Sequence, residues 1–206
     1  MYNIEGIKFE LITGPMGCGK TEELLRRVRR AKIANKKVKI FSPAIDTRSK
    51  RNHVESRNGL TQLAIIVNSA SEILKHVDKN DHVVGVDELQ FFDPEIINVI
   101  KKIVAMNIKV IAAGLDLDFK AEPFGSMPIA LALADKVDKL TAICMECGSE
   151  YACRTQRLIN GIPASVNSPL IMVGGDETYE ARCLRCFELN DDSDIIFEKE
   201  LAYKTA

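Results

Sequence analysis

Phe9-Glu10-Leu11-Ile12-Thr13-Gly14-Pro15-Met16-Gly17-Cys18-Gly19-Lys20-Thr21 is the stretch that decides the fold. Phe9–Thr13 reads as a short apolar strand and Lys20–Ala34 as a helix. The turn between them fits GxxxxGK[ST] through Gly14, Gly19, Lys20 and Thr21, in the strand–loop–helix context that the motif requires. Its glycines let backbone N–H groups turn inward around phosphate oxygens, and the helix N-terminus adds partial positive charge. Lys20 reaches the β- and γ-phosphates, and the Thr21 hydroxyl can ligate Mg²⁺. The stretch therefore points to a bound nucleoside triphosphate.

Working outward, apolar runs at Val38–Ser42, Leu63–Asn68, Val83–Asp87, Val110–Gly114 and Leu140–Cys144 read as further strands. Helical spacing appears at Ala70–Val77, Pro94–Met106 and Met127–Ala134, with Asp93 as an N-cap before Pro94. Strand–helix alternation predicts an α/β fold of the P-loop NTPase type: a mostly parallel sheet with helices on both faces. The polar stretch Asp46–Leu60 reads as an exposed loop or hairpin tip. From Cys144 to Leu189 the composition changes to five cysteines, glycines and prolines with little helical periodicity. The expected division is an α/β nucleotide-binding domain over 1–143, a small cysteine-bearing unit over 144–189 and a tail over 190–206.

The bulk figures bound the function. The chain has 206 residues, 46% hydrophobic, enough for one core and a small appendage. A net charge of −1 gives no default attraction to nucleic acid or an anionic membrane. No apolar run approaches the roughly 20 residues that span a bilayer. Met1-Tyr2-Asn3-Ile4-Glu5 lacks a secretory pattern, so a cytoplasmic location is expected, with cysteines reduced or metal-bound.

Two constellations carry chemistry. Val83–Val86 ends in Asp87 and Glu88. Beside a phosphate loop, Asp87 is placed to position Mg²⁺ and Glu88 to accept a proton. Cys144-x-x-Cys147 and Cys183-x-x-Cys186 have the spacing of a tetrahedral Zn²⁺ site, structural because four sulfurs leave no open position. Cys18 and Cys153 fall outside the set and read as small buried thiols. Arg26, Arg27, Arg29, Arg30 and Lys32 read as a solvated helix face, and Phe91 or Phe92 as a candidate wall for an aromatic ligand.

Taken in order, these residues resemble a known family. Gly14-Pro15-Met16 with Gly19-Lys20-Thr21, Asp46-Thr47-Arg48, Asp87-Glu88-Leu89-Gln90-Phe91-Phe92, Gly114-Leu115-Asp116 with Phe119, Pro123-Phe124-Gly125 and the two cysteine pairs are similar to the cytosolic, zinc-containing thymidine kinases. The similarity runs from about residue 7 to 188. It implies ATP-dependent phosphorylation of thymidine, or deoxyuridine, at the 5′-hydroxyl, in salvage of pyrimidines for DNA synthesis. It implies Glu88 as the base, Arg48 as a phosphate-side cation, and Pro15, Gly17, Cys18, Asp46, Thr47, Asp87 and Gln90 as parts of the nucleotide site. Met16, Phe91, Leu115 and Phe119 are implied as walls around the thymine ring, with Thr155 contacting the base. A zinc-anchored loop is implied to close over the nucleoside, its backbone at Leu170, Ile171, Met172, Val173 and Gly174 reading the base and Tyr179 touching the sugar. A homotetramer inhibited by dTTP is also implied. The chain departs from the pattern at Gly17-Cys18 and Leu89, and by one extra residue over Glu150–Thr155.

Two other classes share parts of this pattern. A P-loop motor with a zinc ribbon would need a basic stripe for nucleic acid, which the charge balance does not suggest. A nucleotide-binding switch or scaffold would not need the Asp87-Glu88 pair.

Overall fold

A computed structural model describes residues 6–44, 53–55, 61–171 and 177–191. Six parallel strands form its main sheet: β1 (Phe9–Thr13), β2 (Val38–Pro43), β5 (Ile65–Val67), β6 (Val83–Val86), β7 (Lys109–Gly114) and β8 (Lys136–Lys139), in the order β5-β2-β6-β7-β1-β8. All five residues of β1 are buried. It lies between β7 and β8, so the phosphate loop leaves the sheet from an interior strand.

Helices cover both faces. α1 (Lys20–Ile33) packs Leu24, Leu25 and Val28 on one face, against Ile12, Ile40 and Ile111. Each such side chain contributes roughly 1.5–3 kcal/mol by leaving water. Glu22 and Glu23 in its first turn and Arg30 and Lys32 in its last oppose the helix dipole. The other face carries α2 (Ile73–His76), α3 (Ile96–Ala105) and α4 (Met127–Leu133). α3 buries Ile96, Ile97, Val99, Ile100 and Ile103, the stripe expected from its spacing. The helix starts later than expected, with Glu95 rather than Asp93 as its N-cap; Asp93 Oδ1 accepts the Glu95 N–H at 3.0 Å and Oδ2 accepts the Ala70 N–H at 2.9 Å, so Asp93 ties the turn before α3 to a neighbouring one.

Arg27 fastens α1 to the sheet. It contacts Glu23, Glu10 on β1 and Asp138 on β8 at 2.7–2.8 Å. These partners raise its pKa, and Arg26 first, then Arg27, hold Glu23 down at about 2.

The strand expected over Leu140–Cys144 is corrected. The sixth strand is β8, one segment earlier, and the chain leaves the sheet at Leu140. β8 is polar because it is an edge strand, paired on one side only with β1. β3 (His53–Glu55), inside the stretch expected to be a loop or hairpin tip, pairs antiparallel with β4 (Thr61–Leu63), which follows that stretch. A second sheet, three-stranded and antiparallel, is formed by β9 (Arg154–Ile159), β10 (Ile162–Pro163) and β11 (Glu177–Arg182), with β9 in the middle. Among the described residues no helix is long and apolar enough to cross a membrane.

Candidate active site

The phosphate loop begins at Gly14, whose φ of +138° suits glycine alone. A Cβ there would strike the Leu140 carbonyl oxygen and come within 2.9 Å of Cys18 Sγ. Gly17 and Gly19 are also left-handed, and Gly19 caps α1. Lys20 Nζ donates to the Pro15 carbonyl at 2.6 Å and lies 3.7 Å from Cys18 Sγ. Burial pushes the Cys18 thiol up despite the neighbouring lysine, so the thiol stays protonated.

Across the loop, the Thr21 hydroxyl lies 3.2 Å from one Asp87 carboxylate oxygen and 3.4 Å from the other. Asp87 is buried, and its pKa is raised to about 7, first by burial and then by the Glu88 charge. A buried carboxylate beside a hydroxyl, at the mouth of a phosphate loop, fits a hard divalent cation, which would restore its ionised form. Glu88 takes the left-handed conformation, φ +51°, which is uncommon outside glycine. Gln90 holds it there. Its Nε2 donates to Glu88 Oε2 at 2.5 Å, and its Oε1 accepts the Leu115 N–H at 3.0 Å. Gly114 makes room for that contact, because a Cβ there would sit 2.7 Å from Gln90 Oε1. Gln90 therefore connects the candidate base to a candidate base-wall residue, a link that motif spacing did not suggest.

The expected acceptor walls lie around this edge. Phe91 packs edge-on against Phe124, centroids 5.5 Å apart. Leu115 and Phe119 are buried. Asp118 Oδ1 accepts the N–H groups of Lys120 and Glu122, shaping the turn that carries Phe119. Asp116 is buried and paired with Lys139 at 2.7 Å. The Thr155 hydroxyl oxygen accepts the Met16 N–H at 3.0 Å, so Thr155 is next to the phosphate loop despite the extra residue before it. Arg157 was not singled out in the sequence. Its guanidinium donates to the Tyr179 hydroxyl at 2.9 Å and to the Pro169 and Leu170 carbonyls at 2.6 and 2.5 Å. The guanidinium carbon lies 3.8 Å from the Phe119 ring centroid. The available signal was alternation, since Arg157 shares the β9 face of Thr155. Leu170 and Ile171 are both exposed. Asp46, Thr47, Arg48, Met172, Val173 and Gly174 lie outside the described residues.

The sulfurs of Cys144, Cys147, Cys183 and Cys186 all lie within 4.8 Å of one another. Zn–S bonds of about 2.3 Å in a tetrahedron place sulfurs about 3.8 Å apart, and Cys147 and Cys183 are 3.8 Å apart. Burial opposes ionisation of Cys144, but backbone donors at Cys183, Cys147 and Glu146 hold it at about 6. Cys186, crowded by Cys147 and partly shielded from water, is pushed up to about 12. Four thiolates cannot coexist at this spacing without a cation, so the cluster fits a zinc ion. Ala142, Ala152 and Ala181 pack beside it, and Cys18 from the phosphate loop packs against the same group.

A family model described as thymidine kinase matches residues 7–187, a span holding the phosphate loop, the carboxylates and all four clustered cysteines. By that match, the chain belongs to the thymidine kinase family.

Proposed function

We propose that the protein transfers the γ-phosphoryl group of ATP to the 5′-hydroxyl of thymidine, giving ADP and dTMP for DNA precursor salvage. The observation that carries this reading is the pairing of Thr21 with Asp87 at 3.2 Å beside a second carboxylate, Glu88, gripped by Gln90 at 2.5 Å. Asp87 serves the donor side and Glu88 faces the acceptor. Glu88 takes the 5′-hydroxyl proton as that oxygen bonds to the γ-phosphorus and the bond to the β-phosphate oxygen breaks. Lys20 and the loop N–H groups hold the phosphates of ATP. Thr21 and Asp87 would hold Mg²⁺, which when bound neutralises phosphate charge. Asp46, Thr47 and Arg48 belong to the same nucleotide site by family resemblance, with Arg48 on the phosphate side.

Met16, Phe91, Leu115 and Phe119 form the thymine pocket, Thr155 and the backbone from Leu170 to Gly174 read the base, and Tyr179 contacts the sugar. A base read through fixed polar groups excludes mismatched edges, because those would leave buried groups unpaired. Cys144, Cys147, Cys183 and Cys186 would hold Zn²⁺ as a structural pin for the loop they bracket. The reading also carries a homotetramer, dTTP as end-product inhibitor and a cytoplasmic location. Incubation with labelled ATP, Mg²⁺ and either thymidine or an oligonucleotide tests it. Labelled dTMP is expected, and its absence from folded, ATP-binding protein would refute the reading.

A further inference from the structure

The central strand of the second sheet is bonded in two directions at once. Thr155 and Arg157 lie on one face of β9. Thr155 holds the Met16 N–H, and Arg157 lies over Phe119, so this face docks β9 on the α/β layer. Arg157 is only 1% exposed. An arginine is seldom so buried unless it is paired. Among the described residues no carboxylate pairs with it. Its partners among the described residues are two consecutive carbonyls, Pro169 and Leu170, and the hydroxyl of Tyr179, which lies opposite Arg157 in the β9–β11 register. One guanidinium therefore joins β9, β11, the 169–170 segment and the Phe119 turn.

A planar fork fixes orientation as well as position. The peptide bonds at 169–170 and 170–171 are trans, so each carbonyl points opposite to the next residue's N–H. Holding the Pro169 and Leu170 carbonyls toward Arg157 turns the Leu170 and Ile171 N–H groups away from it. Apolar packing could strap the same segments with a smaller desolvation cost, but it would leave those peptide planes free to rotate.

We infer that Arg157 is a positioning residue of the nucleoside site: it presets the Leu170 and Ile171 backbone donors and the Phe119 wall before the acceptor arrives. The inference rests on the thymidine reading above. It places the effect on acceptor affinity rather than on the chemical step, because Arg157 has no contact with Lys20, Asp87 or Glu88 among the described residues.

The test uses full-length, zinc-loaded Arg157→Met and Arg157→Lys beside the unaltered protein. In Arg157→Met the KM for thymidine is expected to rise about 30-fold, with kcat at saturation within about threefold and the KM for ATP unchanged. Arg157→Lys keeps the charge without the fork and is expected to raise the KM for thymidine about fivefold; it carries the test if the Met variant does not fold. Amide hydrogen exchange without nucleoside is expected to quicken at Leu170 and Ile171 and stay unchanged at Leu11 and Val110. An unchanged KM for thymidine in zinc-replete variants overturns the inference, as does a parallel loss of kcat, zinc and ATP affinity. Quickened exchange, with no thymidine phosphorylation by the unaltered protein, supports the positioning role and refutes the thymidine reading. Unchanged exchange in variants of an active enzyme overturns the positioning role alone.

Discussion

Asp87→Asn should make the magnesium-free protein more stable while removing its activity. Asparagine keeps the shape and, at the Oδ1 position, an oxygen that can accept from the Thr21 hydroxyl, 3.4 Å away, and from the Glu88 N–H, 3.0 Å away. What it removes is a buried charge. Burial, then Glu88, raises the Asp87 pKa from 3.8 to about 7, which corresponds to roughly 4 kcal/mol of folded-state cost when the group is ionised. The sign follows from proton counts. Between pH 4 and 7 the unfolded chain has lost this proton and the folded one keeps it, so stability falls as pH rises and levels off above about 7. Urea unfolding of zinc-loaded protein at pH 5, 6, 7 and 8 measures the difference between variant and wild type. The gap should grow by about 2–3 kcal/mol from pH 5 to pH 8. A variant with the wild-type pH slope, or one less stable at pH 8, would show that Asp87 carries no buried-charge cost.

Other perturbations separate the remaining parts of the site. Glu88→Gln should leave ATP binding near normal while single-turnover phosphorylation of thymidine falls by about 10²-fold or more; comparable turnover would move the base elsewhere. Removing zinc with a chelator should abolish thymidine binding by calorimetry before the far-UV signal of the sheet melts. Unchanged thymidine affinity after verified zinc loss would sink the structural role of the cysteine cluster. Gly14→Ala must adopt φ +138° against the Leu140 carbonyl, so ATP affinity should drop at least tenfold in equilibrium dialysis. Normal affinity would show that the loop can rebuild around a Cβ.

Much of the α/β layer was legible because its strands are buried on both faces and read as unbroken apolar runs. Phe9–Thr13 and the stripe of α3 are clear cases. β8 was not legible, because Lys136, Asp138 and Lys139 form an edge whose charges serve Arg27 and Asp116. The apolar run after it misled for a physical reason. Leu140 packs into the core under α1, and Ala142 and Cys144 pack into the cysteine core, so the run is apolar without being a strand. The glycine-rich loop, the adjacent carboxylates and the clustering of the four cysteines were legible because each depends on local spacing. Gln90 and Arg157 act through partners far along the chain, 25 residues away at Leu115 and 22 at Tyr179. No local pattern encodes such distances.

The Leu140 carbonyl lies under Gly14, and Cys18 packs against the small core of Ala142, Ala152, Ala181 and two of the clustered cysteines. A chimaera that imported a foreign cysteine unit from residue 144 onward would leave this shared wall mismatched. A sound splice point lies before Leu140, with residue 18 transplanted alongside. The same wall predicts linked drift, in which a larger side chain at position 18 is accommodated by glycine at 142 or 152. A library randomised at those three positions together should yield more working enzymes than libraries randomised at each alone.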